Sequence, residues 1–303
     1  MKKFTVDCVI VTFNKVEMLK KSIAAIDDQT YEVKNIFVIN NASSDGTQDY
    51  LNNEKEVNPK LKVLNLKENL GGAGGFNYGL RKFVEDSDSD FVWIIDDDAL
   101  AEKSALLNMI EVFKEYPNER IGFVASNVRW TDGKPAYMNI PYPSDDWTMY
   151  ANNGVIKIKS TSFVSMLVTR DAIKEVGLPI SDFFIWGDDV EFSYRITSAG
   201  YTGLFVSNSI VTHFMDKNVG INLLEEVNPN RVDRYFYEYR NSLYNIRTKR
   251  GNLGVCKELV KRIILVFKIL FSNNDIKYRK VRAVFLGTTK GIFFRPKIER
   301  INN

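Results

Sequence analysis

Short apolar runs recur along the first two-thirds of the chain, and each run ends in polar or glycine-rich residues. Their length and their content of β-branched residues are typical of buried strands. The strands predicted in this way are residues 6–12, 35–40, 62–66, 91–95, 161–170 and 203–214.

The segments between these strands have the spacing of helices. From residue 16 apolar residues recur every three or four positions, which predicts a helix. Asn14 stands before it and Glu17 follows three residues later, and this pair predicts a capping box. Strands that alternate with helices predict an α/β fold, in which a mostly parallel sheet is flanked by helices.

The polar ends of the strands predict where a ligand would bind. The segments "VTFN", "INNASSDGT", "NLGGAGG" and "DDD" each follow a predicted strand. In sheets of this class ligands sit at the carboxyl ends of the strands, so we expect these segments to converge on one edge. Residues 129–154 are instead rich in turn formers and aromatics, which predicts a long loop or a small insertion.

The last quarter of the chain is basic and amphipathic. From Arg247 onward there are fifteen Lys and Arg residues and three acidic residues, with apolar residues between them. We therefore predict one domain over residues 1–246 and a basic, helical C-terminal region over residues 247–303.

Four basic residues of this region would lie on one side of a helix, namely Arg250, Lys257, Lys261 and Lys268. Because anionic lipids attract such clusters, their spacing predicts attachment to an anionic membrane surface. A helical pair packed on the first domain, and an interface in a homo-oligomer, are the alternatives.

The composition narrows the class of protein. The chain has 303 residues and a formal net charge of +3, which is not the global basic field of a nucleic-acid-binding protein. Two distant cysteines give no disulfide framework, which fits a reducing compartment. No apolar run is long enough for a transmembrane helix, and the first one is too β-branched for a signal peptide. We expect a cytoplasmic protein that attaches peripherally to the inner face of the cell membrane.

Three consecutive aspartates at the end of a strand predict a metal site. In an extended chain Asp96 and Asp98 point to one side and Asp97 to the other. Paired carboxylates suit Mn²⁺ or Mg²⁺, whose charge would offset their mutual repulsion. His213, the single histidine, is a candidate third ligand. A solvated acidic loop, with His213 as an ordinary surface or core residue, is the alternative.

Two further motifs carry candidate chemistry. Glycines in "NLGGAGGFNYG" would let backbone amides approach a phosphate at a helix amino terminus, although tight helix packing also explains them. A carboxylate in "WGDDVEF", beside Trp186 and Phe184, could have a raised pKa and act as a general base. The alternative is that Asp188 and Asp189 complement a helix dipole. A dinucleotide oxidoreductase is disfavoured, because the glycines do not follow the first strand.

Together these motifs resemble glycosyltransferase family 2, whose members are inverting enzymes of the GT-A fold. The matching segments are "VIVTFNKVEM", "VINNASSDGT", "IIDDDA" and "WGDDVEFSYR", in that order along residues 4–250. The resemblance implies a GT-A, Rossmann-like catalytic domain that binds a nucleotide-diphosphate sugar. It implies donor contacts from Thr12, Phe13, Asn14, Asn41, Asn69, Gly72, Gly74, Asp96 and Asp97.

The resemblance also implies the roles at the reaction centre. Asp96, Asp98 and His213 would hold the metal, and Asp189 would be the base, with Asp188 as the competing choice. Trp186 and Phe184 would contact the acceptor.

Within the family, "NLGGAGGFNYG", the three aspartates and "THFMDK" resemble the galactofuranosyltransferase branch. This implies transfer from UDP-galactofuranose to a lipid-linked or growing surface polysaccharide. Two features depart from the pattern: Asn41 replaces the usual acidic uracil contact, and Asp188 and Asp189 are separated from Trp186 by a glycine. A rhamnosyltransferase, another hexosyltransferase, and a non-catalytic nucleotide-sugar-binding subunit remain as alternatives.

Overall fold

The computed structural model describes residues 3–273 and 275–301. In this part of the chain a mixed sheet lies at the centre, with helices on both faces. The strands are β1 Val6–Thr12, β2 Ile36–Asn40, β3 Leu61–Asn65, β4 Phe91–Asp96, β5 Ala99–Ala101, β6 Ile121–Trp130, β7 Tyr142–Pro143, β8 Val155–Ser160, β9 Ser165–Thr169 and β10 Thr202–His213. The α-helices are α1 Val16–Asp27, α2 Thr47–Val57, α3 Gly71–Asp86, α4 Ala105–Glu115, α5 Arg170–Val176, α6 Asp188–Ser198, α7 Pro229–Leu270 and α8 Lys277–Phe293.

The strand order explains why the functional loops meet. The order is β3-β2-β1-β4-β9-β6-β10-β8-β7, and β5 pairs with β10. The four strands β3, β2, β1 and β4 are parallel, so the loops after them open at one edge. Strand β9 enters antiparallel between β4 and β6, whereas β6 and β10 are parallel to each other. The predicted α/β class is confirmed, and antiparallel pairing makes the second half of the sheet mixed.

The predicted strands all occur, within a few residues at each end. Residues 129–154 contain two short 3₁₀ helices and the two-residue strand β7, in agreement with a small insertion. Strands β5, β6 and β8 and helices α2, α4 and α5 were not predicted. Strand β6 contains Gly122, Ser126 and Asn127, which interrupt the apolar run that sequence patterns detect.

The predicted capping box at Asn14 is wrong. Asn14 lies in the left-handed region at φ 53°, and its side-chain oxygen accepts the Ser44 N–H at 2.7 Å. The first N–H of α1, on Val16, is instead taken by Asp45 Oδ2 at 3.0 Å. A residue 29 positions away in sequence therefore caps the helix, which local spacing cannot show.

Glycines let α3 lie very close to the sheet. A Cβ at Gly75 would be 2.4 Å from a Val11 methyl, and one at Gly79 would be 2.5 Å from a Val9 methyl. These two glycines therefore serve packing, which was the alternative interpretation of the motif. Gly72 differs, since no atom lies within 4 Å of its Cβ position.

The C-terminal helices form a unit that folds back on itself. Helix α7 is broken at Gly251, which has φ 64°. Arg262 lies beyond the break, yet it donates to the Tyr239 carbonyl at 2.6 Å and to Thr288 Oγ1 of α8 at 3.0 Å. In one straight helix Arg262 and Tyr239 would be about 35 Å apart, so the chain must reverse at Gly251. The predicted boundary after residue 246 stays a prediction.

The chain end returns to the sheet domain. Glu299 forms an ion pair with Arg81 and accepts a hydrogen bond from Asn77 at 3.0 Å, both on α3. Among the described residues, no helix has the length and apolar character needed to span a bilayer.

Candidate active site

The aspartate cluster and the single histidine meet at the end of β4. Asp96 ends the strand, and Asp97 and Asp98 form the turn into β5. Strand β5 pairs with β10 so that Ala99 stands opposite His213. Ligand atoms of Asp96, Asp98 and His213 all lie within 4.8 Å of one another. Two carboxylates and an imidazole at this spacing fit Mn²⁺ or Mg²⁺.

Asn139, which the sequence did not indicate, fixes the imidazole. Its amide nitrogen donates to Ser162 at 3.0 Å, so its oxygen faces His213 Nδ1 at 2.9 Å as an acceptor. This contact places a proton on Nδ1, and at Nε2 the imidazole donates to Asp98 Oδ1 at 3.1 Å, a contact that raises the pKa of His213 against the effect of burial. Ligand histidines in metalloproteins are oriented in this way.

Lys15 is a second unpredicted member of the site. Its ammonium contacts Asp98 Oδ2 and lies 3.6 Å from Asp97 Oδ1. Burial alone would lower the pKa of Lys15, but the charges of Asp97 and Asp98 outweigh it and raise that pKa. In the described structure this lysine compensates the aspartates from the loop after β1.

The three aspartates differ in their electrostatics. Burial raises the pKa of Asp96 to about 7, and the charge of Asp98 adds to the rise. Burial also raises the pKa of Asp97 to about 6, against the pull of Lys15. For Asp98 burial is outweighed by His213 and Lys15, which hold the pKa at about 2. A carboxylate cluster of this kind stores repulsion that a cation would relieve.

The candidate bases lie at the start of α6. Burial raises the pKa of Asp189 to about 6. The pKa of Asp188 is also raised well above its usual value, by burial first and then by the charges of Asp189 and Asp96. Residues 161–164 link α6 to the metal ligands, because the Asp96 N–H donates to the Val164 carbonyl at 3.4 Å and the Thr161 N–H donates to Ser193 Oγ of α6 at 3.0 Å. Glu191 has a structural role instead, since it forms an ion pair with Arg195 at 2.8 Å.

The segment before α6 is strained and clamped. Phe184, Trp186 and Gly187 all have positive φ, at 63°, 65° and 86°. Such backbone persists only where the surroundings impose it. Buried Asn241 on α7 imposes it here, because its amide nitrogen lies 2.8 to 3.1 Å from the carbonyls of residues 183, 185 and 186.

The aromatic residues of this segment pack on the same helix. The Phe184 ring stacks on Tyr237 with centroids 4.8 Å apart, and Trp186 meets Tyr235 edge to face at 5.2 Å. Both side chains remain partly exposed. Glu238, also on α7, has its pKa raised to about 7 by burial, with the charge of Asp189 adding to the rise. Helix α7 thus forms one wall beside the candidate base.

The predicted donor residues line the loops after β1, β2 and β3. Thr12 is buried at the end of β1, and Phe13 is exposed. Asn69 Oδ1 accepts the Gly71 N–H at 2.8 Å and so begins α3. Gly72 is open to a ligand, whereas a Cβ at Gly74 would be 2.6 Å from Leu70 Cβ.

Asn41 holds the turn into α3. Its oxygen accepts the Leu70 N–H at 2.8 Å, and its nitrogen donates to the Gly71 carbonyl at 3.0 Å. Because both amide atoms already have backbone partners, a uracil contact would use their remaining hydrogen-bonding capacity. The contact stays a prediction.

A parallel half-sheet with a carboxylate–histidine cluster at its edge is the arrangement expected of an α/β glycosyltransferase of the GT-A class. The family model described as "Glycosyl transferase family 2" matches residues 7–177. The chain therefore belongs to glycosyl transferase family 2, as the sequence motifs predicted. Asp188, Asp189 and His213 lie beyond the matched residues.

Relatives with curated descriptions agree with this family. "Glycosyltransferase AglE" of Haloferax volcanii is 24% identical over 69% of this chain and 66% of its own length. "Poly-beta-1,6-N-acetyl-D-glucosamine synthase" of Staphylococcus aureus is 26% identical over 63% of this chain. The chain spans just under two-thirds of the first relative and 45% of the second.

Solved structures share the fold. The mannosyltransferase PcManGT of Pyrobaculum calidifontis, in complex with GDP-Man and Mn²⁺, covers 97% of this chain and 88% of its own, with a TM-score of 0.58 and 15% identity. GalNAc-T7 with UDP, GalNAc and Mn²⁺ covers 70% of this chain and 44% of its own, with a TM-score of 0.58 and 18% identity.

Proposed function

We propose that this protein is an inverting, metal-dependent glycosyltransferase. The observation that carries the proposal is the meeting of two groups at one edge of the sheet. Asp96, Asp98 and His213 fit a divalent cation, and Asp189 is a carboxylate whose pKa of about 6 suits a base. Bases work best when their pKa lies near the operating pH.

Three groups of residues would bind the metal, bind the donor phosphates and act as the base. Asp96, Asp98 and His213 would hold Mn²⁺ or Mg²⁺, which supplies Lewis acidity toward a diphosphate leaving group. The amino terminus of α3, with open Gly72, would accept phosphate oxygens. Asp189 would take the proton of an acceptor hydroxyl as that oxygen attacks the anomeric carbon from the face opposite the diphosphate. One displacement of this kind inverts the configuration.

For the donor we propose UDP-galactofuranose. The support is the resemblance of "NLGGAGG", "IIDDDA", "WGDDVEF" and "THFMDK" to the galactofuranosyltransferase branch. No residue at the site dictates a furanose ring, so dTDP-rhamnose and other hexose donors are the competing choices. A non-catalytic nucleotide-sugar-binding subunit is disfavoured, because such a protein has no need to retain a base like Asp189.

For the acceptor we propose a hydroxyl of a lipid-linked or growing surface polysaccharide. The relatives support this class, since one is described as a poly-beta-1,6-N-acetyl-D-glucosamine synthase. Phe184 and Trp186 offer partly exposed rings beside the candidate base for contact with a sugar. We place the protein at the cytoplasmic face of the cell membrane, and a homo-oligomer remains compatible with this proposal.

A donor panel tests the proposal. UDP-galactofuranose, UDP-galactopyranose, UDP-N-acetylglucosamine, dTDP-rhamnose and GDP-mannose are each incubated with an acceptor lipid extract, with Mn²⁺ or with chelator. We expect Mn²⁺-dependent turnover with UDP-galactofuranose. Turnover of another donor alone would reject the branch, and full activity in chelator would reject the metal. Absence of turnover with every donor, while nucleotide still binds, would favour the non-catalytic subunit.

A further inference from the structure

The second half of α7, after Gly251, carries a continuous exposed apolar surface. Its members recur every three or four residues, so they lie along one side of the helix. This apolar stripe consists of Val260, Ile263, Ile264, Phe267, Leu270 and Phe271, all exposed. The opposite side of the same helix is occupied by buried Arg262 and Ile269, which face α8 and the first half of α7. The packing of this helix against α8 and the first half of α7 therefore does not use the apolar stripe.

Exposed lysines border this stripe on one side. Lys257, Lys261 and Lys268 are separated by four and seven residues and project beside the stripe. The sequence from 252 to 271 has a single acidic residue, Glu258. Glu258 already forms ion pairs with Arg262 at 3.5 Å and with Lys261 at 3.8 Å. The border therefore presents positive charge with little local compensation.

A second exposed apolar row lies on α8. Tyr278, Phe285 and Ile292 are spaced seven residues apart, and Phe293 adjoins them. The buried side of α8, with Gly287 and Gly291, packs against the first half of α7. Apolar surface is thus left open on two helices of the unit.

We propose that the apolar stripe inserts into the headgroup region of an anionic phospholipid bilayer, with the lysine border against the lipid phosphates. A helix with one apolar side and a lysine-rich margin is suited to lie in the plane of a membrane surface. A second copy of this chain fits less well, because a two-fold contact through the stripe would bring two basic borders together without acidic partners. The proposal deepens the membrane-bound acceptor of the proposed function and names the surface that meets the bilayer.

Flotation with vesicles tests it in the full-length protein and without any donor. Vesicles of 70:30 phosphatidylcholine and phosphatidylglycerol are compared with vesicles of phosphatidylcholine alone. Phe267→Glu replaces an exposed stripe residue with a charge, and Val57→Glu does the same at an exposed position on α2. We expect Phe267→Glu to lower the partition coefficient at least about tenfold, because an ionised carboxylate resists burial, and Val57→Glu to leave it unchanged.

The lysine border and insertion have separate readouts. Lys257→Gln with Lys268→Gln should weaken binding to anionic vesicles by roughly fivefold per lysine and reduce the preference over neutral vesicles to the same extent. Cys256 is exposed near the stripe and Cys8 is buried, so a polarity-sensitive thiol probe would label Cys256. Its emission should shift to the blue when anionic vesicles are added.

Two results would overturn the proposal. One is flotation of Phe267→Glu equal to that of the unchanged protein. The other is the absence of flotation together with a dimer that Phe267→Glu converts to a monomer, which would assign the stripe to a second copy of the chain. Neither result bears on the donor panel, so failure here is distinct from failure of the proposed function.

Discussion

Replacing Lys15 with methionine should strengthen metal binding. The Lys15 ammonium already contacts Asp98 Oδ2, and His213 lies 3.1 Å from the other oxygen of the same carboxylate. A cation that binds Asp98 and His213 draws on the same carboxylate charge as this ammonium, which must weaken its own pairing or move aside. Lys15 thus competes with the metal that the aspartates fit.

The size of the effect follows from the exposure of the ion pair. The Lys15 side chain is 45% exposed, so its pairing with Asp98 contributes about 1 kcal/mol after solvent screening. Once the ammonium has moved aside, its repulsion with a dication about 8 Å away adds about 1 kcal/mol more at the dielectric constant of water. Since 1.4 kcal/mol is about tenfold, Lys15→Met should bind Mn²⁺ roughly five- to thirtyfold more tightly.

The assay is titration of Mn²⁺ followed by electron paramagnetic resonance of the free ion, without donor or acceptor. Lys20→Met is a matched control, because Lys20 is 43% exposed and pairs with Glu17 on α1. It should leave the affinity unchanged, and Asp98→Asn should abolish the site. Equal or weaker Mn²⁺ binding by Lys15→Met would refute competition at Asp98.

Three further outcomes are expected from the base and its clamp. Asp189→Asn should lower turnover at least about a hundredfold. It should also raise the melting temperature, because the folded state holds this carboxylate with a pKa of about 6 and is destabilised when the carboxylate ionises at neutral pH. If Asp188→Asn alone lost turnover, the role of base would pass to Asp188. In the unchanged protein kcat/KM should fall about tenfold per pH unit below pH 6, as Asp189 gains a proton. Asn241→Ala should lower turnover about tenfold or more while the Mn²⁺ affinity stays constant, because the substitution removes the hydrogen bonds that hold the segment before Asp189. Unchanged turnover would show that these hydrogen bonds are dispensable for catalysis.

Sequence patterns predicted correctly those parts of the fold that depend on residues close together in the chain. The run before Asp96 is a buried strand because every residue from 91 to 95 is apolar, and its end falls at the binding edge because the neighbouring strands are parallel. The pairing of Asp96 and Asp98 with His213 was also predicted, from ligand chemistry and a family resemblance. The turn at Asp97 and Asp98, and the antiparallel strand β5 that brings His213 alongside, were not visible in the periodicity.

The site residues that the sequence did not indicate contact partners that are far away in the sequence. Asn139 orients a histidine 74 positions away, and Lys15 contacts an aspartate 83 positions away. Neither residue type is unusual in a loop, and no spacing rule links them to their partners. Asn41 shows the opposite case, since family resemblance assigned it to the donor base while the fold gives it two backbone partners.

The strained segment before α6 connects the donor side of the site to the base. The Phe184 carbonyl accepts the Ala73 N–H at 3.1 Å, and a Cβ at Gly71 would come within 2.1 Å of the same oxygen. The amino terminus of α3, where phosphate would bind, is thus in direct contact with the backbone that leads to Asp189. Asn241 holds this backbone from the other side. The close approach of this carbonyl, together with a φ of 72° at residue 71, explains why glycine stands there and why α3 and the segment before the base can touch.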